Sequence, residues 1–399
     1  MTTATGRTAG TAGVSGQAPW TLVLQAAAAL AASMGIGRFA YTPILPLMHA
    51  QAGLSAQSGS ALATANYVGY LAGALLGIVR PAVTRSVLTL RAGLVLVAVT
   101  LALMGATENH AAWLALRLAA GIASALVFMI AVSALLTGLR GPRQYLSGWG
   151  FGGVGAGIAL SGGVVLAAGT WRAAWLASAG FALLLTAVAW PLRPGERPVH
   201  SETVHPAQPG AAPPVLAPPP ARRWFAVLLT SYSLEGVGYI IAGTFLVAAI
   251  NENSPAWAGS GAWVLTGLAA VPASAAWALL SRRWTRSSLL CVALLIQAAG
   301  IALPALVSGV VPALLSAVLF GATFLGVVSM ALPLGVQLRY PRAVALLTTG
   351  YGLGQILGPL VVTPLLHHGY HLALLIAAGV VLAAALAAAV LRMGPSGTG

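Results

Sequence analysis

RPGERPVHSETVHPAQPGAAPPVLAPPPA, residues 193–221, is the stretch that decides the architecture. Ten of the chain's 24 prolines fall between Pro191 and Pro220. A segment of this composition packs no core and favours extended, solvated backbone. On both sides of it, apolar runs of about 20 residues recur, the length that crosses roughly 30 Å of hydrocarbon. Six runs precede it, over 20–48, 58–79, 86–106, 111–138, 144–168 and 172–191. Six follow, over 223–250, 258–281, 287–308, 311–338, 343–366 and 370–391. The chain therefore reads as an all-α membrane protein of twelve transmembrane helices in two six-helix bundles. The expected divisions are a tail over 1–19, a bundle over 20–192, a linker over 193–221, a second bundle over 222–393 and a tail over 394–399.

Composition supports the membrane class. Of the 399 residues, 59% are hydrophobic and 6% charged. Soluble domains carry about 25% charged residues, which they need to cover their surface. A bilayer removes that need, and the mean hydropathy of +0.91 agrees. The formal net charge is +14, from 19 basic and 5 acidic residues, with every base Arg and every acid Glu. The arginines lie mostly in short breaks between apolar runs, a topology signal rather than a nucleic-acid surface. No nucleic-acid partner is expected.

With the N-terminus inside, Arg7, Arg80, Arg85, Arg91, Arg140, Arg143, Arg193, Arg197, Arg222, Arg223, Arg282, Arg283, Arg286, Arg339, Arg342 and Arg392 all fall on the cytoplasmic side. The opposite side keeps Arg172, and Arg38 and Arg117 lie within spans. The expected protein is a multi-pass monomer of the bacterial inner membrane with both termini cytoplasmic. Residues 1–19 are small and polar, and the run after them is too long for a signal-peptide core, so they read as an uncleaved tail.

The halves repeat each other. Gly35 and Gly37 match Gly236 and Gly238, and Gly121 matches Gly321. Gly150-Phe151-Gly152 matches Gly350-Tyr351-Gly352, Pro142-Arg143 matches Pro341-Arg342, and Trp171-Arg172 matches Tyr370-His371. One offset of about 200 residues relates them all, which predicts two pseudo-symmetric bundles with a substrate site near the bilayer midplane between them.

These features resemble the major facilitator superfamily over nearly the whole chain. Arg117-Leu-Ala-Ala-Gly121 resembles its fourth-helix motif, and the Gly-rich run from Gly148 to Gly163 resembles that of its proton-coupled antiporters. The segment Gly77-Ile-Val-Arg80-Pro-Ala-Val-Thr-Arg85 departs from the family's loop signature in having no Asp, and the fifth helix has no Gly-Pro pair. Four further segments are similar to the YbfB/YjiJ-like branch. They are Gly35-Ile-Gly-Arg-Phe-Ala-Tyr-Thr-Pro-Ile-Leu-Pro-Leu-Met48, Ala65-Asn-Tyr-Val-Gly-Tyr70, Leu234-Glu-Gly-Val-Gly-Tyr-Ile-Ile-Ala-Gly-Thr-Phe245 and Tyr351-Gly-Leu-Gly-Gln-Ile-Leu-Gly-Pro359. The resemblance implies the major facilitator fold and secondary transport, and names no substrate.

Arg38 and Glu235 carry the chemistry. An ionisable group at mid-membrane costs roughly 2.5–3.5 kcal/mol on insertion scales, so it faces a partner or a cavity. Two readings stand side by side. In one, the two form a structural ion pair between the halves. In the other, Arg38 anchors an anionic substrate and Glu235 carries a proton. The repeat register places the two at similar depth, where they could meet directly or through substrate. Arg117 serves either coupling or structure. Asn66, Tyr239 and Gln355, inside the branch motifs, are expected to line the site.

Other chemistry finds little footing. Gly150-Phe-Gly-Gly-Val-Gly155 matches a dinucleotide fingerprint in letters but lies inside an apolar span, where small residues serve close helix packing. His367, His368 and His371 crowd one loop without further metal ligands, so no metal or cofactor is expected. Cys291 lies in an apolar run as a packing residue. The chain has no Lys and hence no Walker lysine, which excludes an ATP-driven pump within it. The expectation is a secondary transporter, not an enzyme, moving a small organic solute with protons by alternating access. The rival is a non-transporting receptor or scaffold on the same fold.

Overall fold

The computed structural model describes residues 18–139, 146–195 and 219–393. Twelve helices in it are long and apolar enough to cross a membrane. They are α1 (Pro19–Ala52), α2 (Ala56–Val79), α3 (Val87–Ala106), α4 (His110–Gly138), α5 (Ser147–Ala167), α6 (Trp171–Ala189), α7 (Ala221–Glu252), α8 (Ala256–Leu280), α9 (Arg286–Leu306), α10 (Val310–Gln337), α11 (Ala343–His367) and α12 (Tyr370–Leu391). Their ends lie within four residues of the spans read from the sequence. The expected tail over 1–19 and linker over 193–221 fall, but for their ends, outside the described residues, as do Arg7, Arg140, Arg143, Arg197 and the tail over 394–399.

Short polar side chains set several helix starts. Ser55, Ser86, Asn109, Thr170 and Thr285 each accept a hydrogen bond from the amide three residues on, at 3.0–3.3 Å. Each satisfies one of the orphan donors of a first turn. The helices alternate in direction, so the described loop arginines gather at one end, from Arg80 and Arg91 to Arg339 and Arg392. At the other end Arg172 pairs with Glu108 at 2.5 Å, both exposed.

The helices pack through small residues, because lipid supplies no hydrophobic drive between them. Gly121 and Gly321 show the duplication in three dimensions. A Cβ on Gly121 would lie 2.1 Å from the carbonyl oxygen of Asn66, and one on Gly321 would lie 2.2 Å from that of Thr266. Asn66 and Thr266 are themselves 200 residues apart, so α4 meets α2 as α10 meets α8.

Between the halves, α5 packs along α8 and α2 along α11. The Gly-rich run of α5 makes the first of these a backbone contact. A Cβ on Gly155 would meet the Gly267 carbonyl at 2.6 Å, and one on Gly267 would meet the Ala159 amide at 2.2 Å. The letters of a nucleotide fingerprint here serve helix packing.

One helix departs from the continuous span expected. α1 is α-helical over Pro19–Leu30, π-helical over Ala31–Ile36, turns through 37–40, and is α-helical again over Tyr41–Ala52. Pro43 has no N–H to offer the Phe39 carbonyl, and its ring crowds that carbonyl. The chain yields upstream: Gly37 N–H reaches back to Ala32 at 2.9 Å, and Thr42 N–H turns to Phe39 at 3.2 Å. The carbonyl of Arg38 is thereby left for another donor. Arg38 sits in the turn itself.

Candidate functional site

Arg38 projects from the break in α1 and is 3% exposed. Three rings cover its guanidinium, with centroids at 4.4 Å for Tyr70, 5.0 Å for Tyr67 and 5.4 Å for Phe39. The ring faces supply cation–π attraction in place of water. Its Nη2 donates to Oε1 of Gln355 on α11, a bond that crosses between the halves. Its Nε is buried without a partner. Nε–H and the adjacent Nη2–H form the side-on fork with which arginine grips a carboxylate. One tine is occupied by a neutral amide and the other is empty.

Arg117 resolves differently from Arg38. It is 2% exposed, and it donates from Nη1 to the Gly37 carbonyl at 3.3 Å and from Nη2 to the Arg38 carbonyl at 3.2 Å. The ring of Tyr41 lies 4.9 Å from its Cζ. Its Nε, like that of Arg38, is buried without a partner. Its fork caps the carbonyls freed by the break, and so holds the backbone from which Arg38 extends. Asn66 lies in the same region, donating to the Arg117 carbonyl at 2.9 Å and tying α2 to α4.

Glu235 on α7 is fully buried. Its Oε1 accepts from Nε2 of Gln297 on α9 at 3.3 Å, and its Oε2 has no hydrogen-bond partner. Gln297 is itself fully buried with its Oε1 unpaired. No ion pair joins Glu235 to Arg38 among the described residues, whose ion pairs are Arg172–Glu108 and His371–Glu252. The direct pair entertained from the sequence is therefore absent. Gln355, the partner of Arg38, follows Tyr351 by one turn of α11, and Tyr351 stacks on Tyr232, which precedes Glu235 by one turn of α7.

The rings around these groups are ordered. Tyr351 stacks on Tyr232 at 4.5 Å, and Tyr239 stacks on Tyr351 at 6.1 Å, on Phe320 at 5.8 Å and on Phe324 at 5.7 Å. Five of the chain's nine tyrosines thus gather between the halves.

Hydrogen bonds across the halves occur at mid-depth and towards the end with few arginines. Tyr67 OH donates to Thr244 at 2.7 Å, and Thr42 donates to the Gly243 carbonyl at 2.5 Å. Ser60 bonds Thr363 at 2.5 Å, and Tyr370 OH bonds Nε2 of His49 at 2.8 Å. His49 is held in the matching tautomer by its Nδ1 bond to the Leu54 carbonyl. Thr42 and Gly243 are repeat equivalents, 201 residues apart, and so mark where the pseudo-twofold relation brings α1 and α7 together. Among the loop histidines, His371 bonds Asn253 and lies 3.3 Å from Glu252.

Gln297 escaped the sequence reading. Its signal was an isolated amide in the otherwise apolar run Leu289-Leu-Cys-Val-Ala-Leu-Leu-Ile296, one residue beyond its end. Ser60, Thr363 and Thr42 were likewise unremarked, being short hydroxyls that satisfy themselves on any helix.

Two bundles of six helices, pseudo-symmetric about a buried charged centre, define a secondary transporter of the major facilitator type. The chain belongs to the family described as Uncharacterised MFS-type transporter YbfB, whose profile matches residues 30–389. It is thus a multi-pass membrane transporter rather than an enzyme, and the family answers the receptor or scaffold alternative. No curated protein matches the sequence. Among solved structures, a variant of the nucleoside transporter NupG is similar at 15% identity, with 93% of this chain and 99% of that one covered and a TM-score of 0.66. That likeness concerns the fold.

Proposed function

We propose that this transporter carries a small organic anion across the bacterial inner membrane, coupled to protons, with Arg38 holding the anionic group and Glu235 carrying the proton. The half-filled fork of Arg38 supports this most directly. A guanidinium buried with one N–H unpaired and the neighbouring N–H on a neutral amide is incompletely satisfied. A carboxylate takes both tines and adds a full charge, which a carboxamide oxygen lacks. Gln355 then stands in for the substrate when the site is empty, and its displacement releases a bond between the halves.

Glu235 supports the second part. A carboxyl group with no cationic partner sits poorly in low dielectric as an anion. Taking up or losing a proton changes what it asks of Gln297, and Tyr351, which stacks on Tyr232 one turn from Glu235, is one turn from the amide that Arg38 holds. With the arginine-rich end cytoplasmic, as the positive-inside rule orients it, the hydrogen bonds between the halves close the outer side. Solute then exchanges from the cytoplasm, and rocking about α5–α8 and α2–α11 alternates access.

The test is uptake and growth of a deletion strain across radiolabelled organic acids, followed by flux in proteoliposomes. A substrate acid is expected to move with protons, detected by an internal pH dye. Arg38→Ala is expected to raise its KM at unchanged protein abundance. Transport of an acid with an Arg38→Ala KM equal to that of the parent would refute the anion role of Arg38.

A further inference from the structure

We infer that Gln297 is the positioning residue of the proton carrier: its carboxamide closes a two-bond ring with the protonated carboxyl of Glu235, and the outer-closed structure holds that protonated form. This rests on the reading of Glu235 as the carrier and adds the group that senses its proton.

The two head groups already share one bond. Nε2 of Gln297 donates to Oε1 of Glu235 at 3.3 Å. Each group also buries one atom without a partner, Oε2 of Glu235 and Oε1 of Gln297. Both side chains are 0% exposed, so bulk water answers neither atom. The two orphans are oxygens, and as carboxylate and amide oxygens they only accept. Leaving a buried acceptor unmet is costly, and more so when it carries charge. One proton on Oε2 makes it a donor, and Oε1 of Gln297 is the acceptor it lacks. The bonds Nε2–H···Oε1 and Oε2–H···Oε1 then run side by side between two planar groups, an acid–amide ring. The last torsions of Glu and Gln are broad, so the head groups can turn to close it without leaving their rotamers.

The other helices packed on α7 offer Oε2 no hydrogen-bond partner among the described residues. α8 and α10 contain no titratable residue. α9 carries Arg286 at its start and Cys291, whose Sγ turns to the Ala385 carbonyl. On α12 the titratable groups are Tyr370 and His371 at the outer end. Glu235 lies level with the middle of α12, between the Ser231–Ala384 bond and the contact of Gly238 with Val381. α11 carries His367 at that same outer end and presents Tyr351, stacked on Tyr232 of α7 at 4.5 Å and on Tyr239 at 6.1 Å. α1 presents Arg38, held by Gln355, while its Tyr41 and His49 turn to Gly59 and Tyr370. Phenols and guanidiniums ordinarily titrate well above neutral pH. A proton exchanged at this place is therefore the carboxyl's own.

The proton balance follows from the ring. On release the Oε2–H bond breaks, its electron pair stays on the carboxylate, and the proton passes to water once rocking of the halves admits it. Oε2 of Glu235 and Oε1 of Gln297 are then two acceptors with no proton between them. The ring opens, and the amide must turn its NH2 to the anion. The charge of Glu235 is thereby read as a change at the contact of α7 with α9.

The experiment is infrared difference spectroscopy of the full chain in lipid films as pH is stepped, with Glu235→Gln, Gln297→Met and Gln297→Asn beside the parent. The C=O stretch of a protonated carboxyl stands apart from those of carboxylates and amides. The parent is expected to show this band at neutral pH, and Glu235→Gln to lose it. In Gln297→Met, which keeps the length and removes both bonds, the band is expected to shift to higher wavenumber, as a carbonyl freed of its donor stiffens. Gln297→Asn draws the amide back by one carbon and should shift the band in the same direction, which decides the matter if the Met variant fails to fold. A band lost in Glu235→Gln but unmoved in the Gln297 variants would overturn the role of Gln297 and leave Glu235 as the carrier. A Glu235 band that appears only in acid would overturn the protonated form assigned to this structure. No band attributable to Glu235 at any pH would overturn the carrier reading and the ring with it.

Discussion

The Arg117 guanidinium donates to the backbone carbonyl of Arg38 at 3.2 Å, so one buried arginine fixes the main chain from which the other projects. The relation depends on the break in α1. A regular helix would have consumed the Arg38 carbonyl in its own ladder, whereas here Thr42 N–H turns to Phe39 instead.

Arg117→Ala leaves the Gly37 and Arg38 carbonyls without their donor in a water-poor interior. Each unsatisfied group costs about 1–3 kcal/mol. We expect a clear loss of thermal stability, read by size-exclusion chromatography of heated detergent extracts. Arg117→Lys, which offers a single ammonium in place of the fork, should fall between the two. An unchanged melting profile for Arg117→Ala would show that these hydrogen bonds contribute nothing.

Glu235→Gln keeps an oxygen to accept from Gln297 and removes the titrating group. The variant is expected to fold and to exchange labelled for unlabelled solute. Its net transport should lose dependence on pH from mildly acidic to mildly alkaline buffer. If the pH profile of the parent persists in the variant, the proton travels elsewhere.

Gly267→Ala tests the seam between the halves. Its new Cβ would be placed 2.2 Å from the Ala159 amide and 2.5 Å from the Gly155 carbonyl, both of them backbone, so the helices must part. Overpacking of this kind costs about 1–3 kcal/mol. Transport should drop more steeply than membrane abundance, since α5 and α8 must stay in contact as the halves rock. Gly163→Ala, on the same helix as Gly155 with nothing within 4 Å of its Cβ, is the control and should transport normally.

The bonds of Thr42 to Gly243 and of Tyr370 to His49 hold one end shut. Removing them by Thr42→Val with Tyr370→Phe should favour the state open at that end. A net hydrogen bond is worth about 0.5–1.5 kcal/mol, so losing both should raise the ratio of open to closed molecules roughly fivefold to 150-fold. The chain's single cysteine, Cys291, is buried, so a Cys291→Ala background permits labelling at Thr363→Cys with an impermeant maleimide in whole cells. Faster labelling with the double substitution is the expected result. An unchanged rate would mean that these bonds do not set the closed state.

A reporter active only in the cytoplasm, fused after Pro209, should be active, because arginines concentrate at that end of the bundle. Replacing residues 200–217 by a Gly/Ser spacer of equal length should preserve abundance and transport, since loop entropy changes slowly and such a spacer needs only reach. Activity of a periplasmic reporter at Pro209 would reverse the orientation. Loss of transport with the spacer would show that the segment recognises something.

The sequence by itself determined the twelve spans, their division into halves and the duplication, because these are local or additive properties. Twenty apolar residues in a row cross a bilayer whatever they pack against. A shared offset near 200 residues survives in glycines that Asn66 and Thr266 press upon. The identity of the charged residues was equally legible, since Arg38, Arg117 and Glu235 stand alone in apolar helices. Their partners were not. In water a helix shows which face is inward by alternating polar and apolar residues with a 3.6-residue period. In lipid both faces are apolar, and that signal vanishes. Only the tertiary structure could decide that Arg38 grips Gln355 rather than Glu235, that Glu235 turns to Gln297, and that Arg117 spends itself on carbonyls. Each outcome rests on the break in α1 and on the packing angles of helices hundreds of residues apart, where a rotation of one residue, 100° around a helix, would exchange partner for lipid.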